Sequence, residues 1–185
     1  AVYTRDELLD IGNWCVKNNV VILADEIYER ITFDRPFVSI ASLSGQIKDM
    51  TITVNGMSKS AAMTGWRIGY TASTEEIAKA MSAIQGHLVS HPATISQWAA
   101  YGAMAFCQDE TDKMVETYKA RRDAAVEILK DAEDIFLVRP EGAFYLFIDL
   151  SAYKPFFPEV ESFSVAFCER LLAEKKIAVV PGKAF

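Results

Sequence analysis

Basic runs, cysteine, histidine and long apolar stretches are all scarce in this chain, and each scarcity excludes something. Its 185 residues carry 25 acidic side chains against 19 basic ones, a formal net charge of −6, and no cluster of lysine and arginine. That balance argues against nucleic acid and anionic membrane as partners. The three cysteines, Cys15, Cys107 and Cys168, are odd in number and far apart. They fit neither a disulfide framework nor a zinc site, and they point to a reducing compartment. No apolar run approaches the roughly 20 residues of a membrane span, and nothing resembles a signal peptide. A soluble, cytoplasmic protein is therefore expected. The two histidines, His87 and His91, stand four residues apart with no carboxylate or cysteine nearby to complete a metal site. They read as packing or helix-end residues. Internal repeats and low-complexity segments are absent. What is plentiful is apolar residues, 51% of the chain and enough for a sizeable core, and the 185 residues give room for one large domain or two small ones.

The stretch Val54-Asn55-Gly56-Met57-Ser58-Lys59-Ser60-Ala61-Ala62-Met63-Thr64-Gly65-Trp66-Arg67-Ile68-Gly69-Tyr70 organises the rest. Thr51–Val54 predicts a strand ending at the turn signal Asn55-Gly56. Arg67–Thr71 predicts the next strand. The connection is too short for a crossover helix, so the two strands should be antiparallel neighbours. Lys59 then sits on a glycine-bounded loop at a strand end, with Arg67 returning beside it. A loop lysine by itself is a solvated charge. A chemical role needs more, because an amine near its ordinary pKa of about 10.4 is mostly protonated and not nucleophilic. Capture as a Schiff base removes that obstacle, and Arg67 offers a planar donor fork for a phosphate.

A partner for Lys59 lies upstream, in Val20-Val21-Ile22-Leu23-Ala24-Asp25-Glu26-Ile27-Tyr28. The apolar run predicts a strand buried on both faces, with Asp25 at its carboxyl end. Ligands bind at that edge of an open α/β sheet. Helix capping or a surface ion pair is the plainer role for Asp25.

These two stretches resemble the pyridoxal-phosphate-dependent aminotransferases of class I and II, the fold type I family. Gly56 to Gly69 resembles the family's lysine-attachment motif, and Asp-x-x-Tyr, then Lys, then Arg eight residues later, follows its spacing. The resemblance extends from the helix before Asp25 to Val179-Val180-Pro181-Gly182. It implies pyridoxal 5′-phosphate as cofactor and a role for each matching residue. Lys59 resembles the Schiff-base lysine that moves a proton between substrate and cofactor. Asp25 resembles the carboxylate beside the pyridine nitrogen, where an anion keeps that nitrogen protonated. Tyr28 resembles the tyrosine on the ring's phenolic oxygen, and Arg67 the phosphate clamp. Ser58 adds a hydroxyl for the phosphate. One departure touches that phosphate shell: many relatives carry serine three residues before the lysine, and this chain has Gly56.

The fold the resemblance implies is α/β. It comprises the second half of the large domain, with a mostly parallel sheet carrying one antiparallel strand, followed by part of a small α+β domain. Residues 1–108 would belong to the large cofactor domain and 109–185 to the small one. Both ends look cut, so the resemblance implies a fragment without activity of its own, lacking the arginine that holds a substrate carboxylate. The segment Ser90–Gln97 would lie near a subunit interface, implying a homodimer. The implied reaction passes an amino group between an amino acid, aspartate-type first, and a 2-oxo acid. Another aminotransferase, a carbon–sulfur lyase of the same fold and a non-catalytic relative are the alternatives. A P-loop ATPase is a poorer match, because Ser58 and Thr53 stand where that motif needs glycine.

Elsewhere, Thr4-Arg5-Asp6-Glu7 has the form of a capping box, ahead of Leu8, Ile11, Gly12 and Cys15 at helical spacing. Ser73-Thr74-Glu75-Glu76 should cap a helix whose core face is Ile77, Ala80, Met81, Ile84 and Leu88. Ile95–Phe106 and Thr111–Ala132 read as two further helices, the second lined by Met114, Val115, Tyr118, Arg122, Ala125, Val126 and Leu129. After Pro140-Glu141-Gly142, residues Ala143–Leu150 read as an apolar strand. A helix through Phe163, Ala166, Phe167 and Leu171 and a strand Ile177–Val180 follow, their aromatics serving the core.

Overall fold

The computed structural model describes residues 2–185; Ala1, read as leading into the first helix, lies outside the described residues. The chain forms two compact units, Ala1–Asp123 with Pro140–Tyr145, and Ala124–Arg139 with Leu146–Phe185.

In the first unit, helix α1 (Arg5–Lys17) starts at the expected capping box. Thr4 Oγ1 accepts from the Glu7 N–H at 3.3 Å, and the Glu7 carboxylate accepts from the Thr4 N–H at 2.7 Å. Two orphan donors of the first turn are thereby satisfied. Gly12 brings α1 against α2 (Gly45–Asp49), because a Cβ there would stand 2.6 Å from Cδ1 of the fully buried Ile47.

Strand β1 (Ile22–Asp25) pairs in parallel with β2 (Thr51–Gly56), Asp25 opposite Val54. Strand β3 (Gly69–Ala72) returns antiparallel on the other side of β2, as the short connection requires. Both outer strands begin later than the sequence suggests. Val20 N–H is still tied to the Cys15 carbonyl at the end of α1, at 2.9 Å, and Arg67 takes a left-handed φ of 50°, which extended pairing does not tolerate. Among the described residues β1 is an edge strand, and here the expectation of burial on both faces fails. Ile22, Ala24 and Glu26 face inward, whereas Leu23 is 69% exposed because no described element covers its side.

Helices α4 (Glu75–Leu88), α5 (Thr94–Phe106) and α6 (Gln108–Leu129) follow; a single-turn helix, α3 (Met57–Ser60), precedes β3. Thr74 is the N-cap of α4 but makes no side-chain capping bond. The apolar face predicted for α4 is only partly covered: Ile77 and Met81 are half-buried, whereas Ala80, Ile84 and Leu88 are exposed. The stripe predicted on α6 holds better, every member from Met114 to Leu129 being at least partly buried.

Arg122 is the best-anchored charge of that stripe. Its side chain is 4% exposed, its Nη1 lies 2.5 Å from Asp34 Oδ2, and the same nitrogen donates to the Pro140 carbonyl at 2.6 Å. The guanidinium also sits 4.7 Å from the Phe33 ring centroid. Replacing this side chain breaks a charge-assisted bond to Asp34 and takes the donor from the Pro140 carbonyl. Arg122→Met should therefore lower unfolding stability by about 2–3 kcal/mol, less than the roughly 3–5 kcal/mol of a fully buried pair because the Asp34 side chain is 33% exposed. A denaturant midpoint unchanged from wild type would contradict this.

In the second unit, β4 (Phe136–Leu137) and β5 (Ile148–Asp149) form a two-residue antiparallel ladder, and α7 (Phe163–Lys175) packs Phe163 and Phe167 beside Phe157 with ring centroids 5.4–6.0 Å apart. The strand read over Ala143–Leu150 thus shrinks to two residues, because Ala143 is left-handed (φ 57°) and the chain turns there. Ile177–Val180 is not a strand either; no described segment supplies a ladder partner, and an extended run without one is not sheet.

Candidate active site

Asp25 and Glu26 are adjacent carboxylates with opposite surroundings, because successive strand side chains point to opposite faces. Glu26 is turned inward, accepts from Ser39 Oγ at 2.8 Å, and has its pKa raised chiefly by burial. Asp25 stays exposed at the carboxyl end of β1, with Oδ1 accepting from the Ile27 N–H at 3.1 Å. The turn that follows places Tyr28 three residues on.

Lys59 is not on an open loop as expected but in the single helical turn α3. That turn is held firmly. Met57 and Met63 on either side are buried with Ala100 of α5, against Ala61, Ile68, Ala99 and Ala103. The Ser60 carbonyl accepts from Thr111 Oγ1 of α6 at 3.0 Å, and Asn55 Oδ1 accepts from the Gly56 N–H at 2.7 Å. The backbone around Lys59 is therefore fixed by packing while its amine is left uncommitted. Nζ lies 5.3 Å from the Phe144 ring centroid and 5.8 Å from that of Tyr28, over aromatic faces that attract a cation. Among the described residues no carboxylate is within ion-pair distance of it.

Sequence reasoning missed Phe144 and Tyr145, taking them as strand core. The turn at Pro140-Glu141-Gly142 instead docks on the loop after Tyr28. Phe33 N–H donates to the Glu141 carbonyl and Ala143 N–H to the Ile31 carbonyl, both at 2.8 Å. Gly142 makes that docking possible, since a Cβ there would stand 2.8 Å from the Ile31 oxygen. Phe144 then packs edge-on against Tyr28 at 5.4 Å, and the Tyr145 hydroxyl lies 2.6 Å from the Tyr28 hydroxyl. The Pro-x-Gly turn ahead of two aromatics was the available signal. The Tyr28 phenol is held well above its ordinary pKa, first by burial, then by the bond to Tyr145, then by the Tyr145 and Asp25 charges.

Arg67 is exposed, and its Nη1 donates to the Thr64 carbonyl at 2.9 Å. Ser58, half-buried, precedes Lys59 in α3. Gly56 faces Gly69 across the β2–β3 pair, where a Cβ would stand 2.9 Å from the Gly69 Cα. A serine at that position would not fit without moving a strand. A cavity of about 200 Å³ opens beside Met57, Ser60, Tyr70, Gln108 and Thr111, and neither Lys59, Asp25 nor Tyr28 lines it.

Carboxylate, phenol and uncommitted amine thus gather after the carboxyl ends of two adjacent parallel strands. The family model described as aminotransferase class I and II matches residues 1–185. The chain belongs to the class I and II aminotransferases. It is 43% identical over 188 residues to a probable aspartate/prephenate aminotransferase of Aquifex aeolicus, covering all of this chain and 47% of the relative. It superposes on the crystal structure of an aspartate aminotransferase from Thermotoga maritima with TM-score 0.86 and 41% identity, covering 45% of that chain. An aromatic aminotransferase from Pyrococcus horikoshii gives TM-score 0.90 at 35% identity, with 48% covered. The chain spans about half the length of the curated relatives it matches. The α/β fold, with one antiparallel strand beside a parallel pair, is the aminotransferase fold over that half. Among the described residues no helix is long and apolar enough to cross a membrane.

The donor set suits the cofactor general to aminotransferases. An anion, a phenol and an uncommitted amine in one region are the group types that a pyridoxal ring's nitrogen, oxygen and aldehyde call for.

Proposed function

We propose that the full-length protein is a pyridoxal 5′-phosphate-dependent aminotransferase, moving an amino group between an amino acid, aspartate-type first, and a 2-oxo acid. The observation that carries this reading is the uncommitted Lys59 amine, set over Tyr28 and Phe144 on a packed helical turn beside the end of β1. Asp25 would hold a proton on the ring nitrogen, and Tyr28 would donate to the ring oxygen. Lys59 would anchor the cofactor and carry the proton to and from the substrate α-carbon. Ser58 and Arg67 would bind the phosphate, with no part for residue 56. When bound, the cofactor supplies the electron sink for the bond broken at that α-carbon. The names of the relatives support the substrate class, and for the whole protein we also infer a cytoplasmic setting and a homodimer. We also keep Gln108, the first residue of α6, as the boundary, with residues 1–108 in the large domain and 109–185 in the small one.

Borohydride reduction of the full-length protein loaded with pyridoxal phosphate, followed by peptide mapping, tests the reading. The pyridoxyl label should appear on Lys59 alone. A folded protein that takes up no label, or takes it elsewhere, refutes the assignment.

A further inference from the structure

We infer that Tyr145 is a positioning residue for Tyr28, setting the direction in which the Tyr28 hydroxyl donates. This rests on the reading that Tyr28 faces the cofactor's ring oxygen. The two hydroxyls lie 2.6 Å apart, and either can be the donor. A phenol has one proton to give and lone pairs to accept with. While Tyr28 gives its proton to Tyr145, it has none for a ligand. Once it donates to a ring oxygen, its own oxygen is open to the Tyr145 proton. Accepting that proton polarises the Tyr28 hydroxyl and strengthens its outward bond. The pair is thus a two-phenol relay that reverses on loading.

The surroundings favour this role over simple packing. The rings meet nearly edge-on, 5.8 Å apart at 79°, so the hydroxyls converge while the faces do not stack. Phe144, edge-on to Tyr28 at 5.4 Å and tilted on Tyr118 at 5.3 Å, fixes the Tyr28 ring from another side. Tyr145 itself is 54% exposed, so its hydroxyl is not needed to satisfy a buried partner for folding. Its backbone is delivered by the Gly142 turn docked on Ile31. The other charged groups facing Tyr28 are Asp25, from the end of β1, and Lys59, from α3.

The test uses the full-length protein as wild type, Tyr145→Phe, Tyr28→Phe and the double variant. In the cofactor-free protein with 13C-labelled tyrosine, Tyr145→Phe should move the titration of the Tyr28 ring carbon down toward the ordinary tyrosine range. An unmoved titration overturns the proposal whatever the activity. In the loaded protein, Tyr145→Phe should keep full cofactor stoichiometry and shift the pH midpoint of the cofactor absorbance in the same sense as Tyr28→Phe. It should lower kcat about three- to tenfold, the scale of one hydrogen bond, with KM little changed. On the Tyr28→Phe background it should add nothing. Equal effects on both backgrounds would show that Tyr145 acts independently and would overturn the relay. If Tyr28→Phe itself leaves the midpoint unmoved, the fault lies with the placement of Tyr28 at the ring oxygen, while the cofactor-free titration still decides the contact.

Discussion

Lys59→Ala in the full-length protein is expected to abolish transamination, with kcat reduced by at least about a thousandfold, since the general base is removed together with the covalent anchor. The sharper comparison is Lys59→Arg. It keeps the positive charge over Phe144 and Tyr28, and a guanidinium suits an aromatic face at least as well. It cannot shed its proton in a protein. If Lys59 were a solvated charge, arginine would serve and activity would survive. If the amine is the reacting group, both variants fail alike. Folding should be intact in each, because α3 is held by Met57, Met63 and the Ser60–Thr111 bond and not by the lysine side chain. Near-normal turnover in Lys59→Arg would sink the assignment.

Asp25→Ala should cost about a hundred- to a thousandfold in kcat, the scale seen when a preorganised electrostatic partner of the reacting system is removed. Tyr28→Phe should cost about tenfold, since it removes one hydrogen bond and leaves the ring in place. The order of the two losses is the point. Among the described residues the hydrogen bond of the exposed Asp25 carboxylate is to the Ile27 N–H, so its removal should leave the unfolding midpoint nearly unchanged. A large kinetic loss without a stability loss would mark a carboxylate placed for chemistry. Equal small losses in both variants would contradict the role assigned to Asp25, and steady-state kinetics beside denaturant titration decides it.

What the sequence made legible were features fixed by local chemistry. The Thr4 capping box, the antiparallel return after Gly56 and the apolar stripe of α6 each depend on neighbours a few residues away. Asp25 at a strand end and Lys59 beyond the next strand followed from the same local signals. The misses have a different cause. Periodicity tells which face of α4 or β1 is apolar but not whether anything lies on it, and Ile84, Leu88 and Leu23 are exposed in a chain half as long as its relatives. Phe144 and Tyr145 are more than 100 residues from Tyr28 in sequence, and their meeting depends on a docked turn that composition does not announce. The left-handed angles at Arg67 and Ala143 shortened two strands for reasons invisible to an apolar pattern.

The alternation at the end of β1 sets a limit on how this chain tolerates change in length. Asp25 and Glu26 differ by one methylene and by one step of the pleat, yet one faces water and the other lies under Ser39. Deleting a single apolar residue of β1 would exchange them: the longer acid would arrive at the open edge and the shorter would be driven inward, with the strand side chains after the deletion reversed. Such a deletion leaves every charge in place, so a sequence comparison that ignores gaps would score it as harmless. Length variation among natural versions of this protein should therefore gather in the turns on either side of β1 and never inside it.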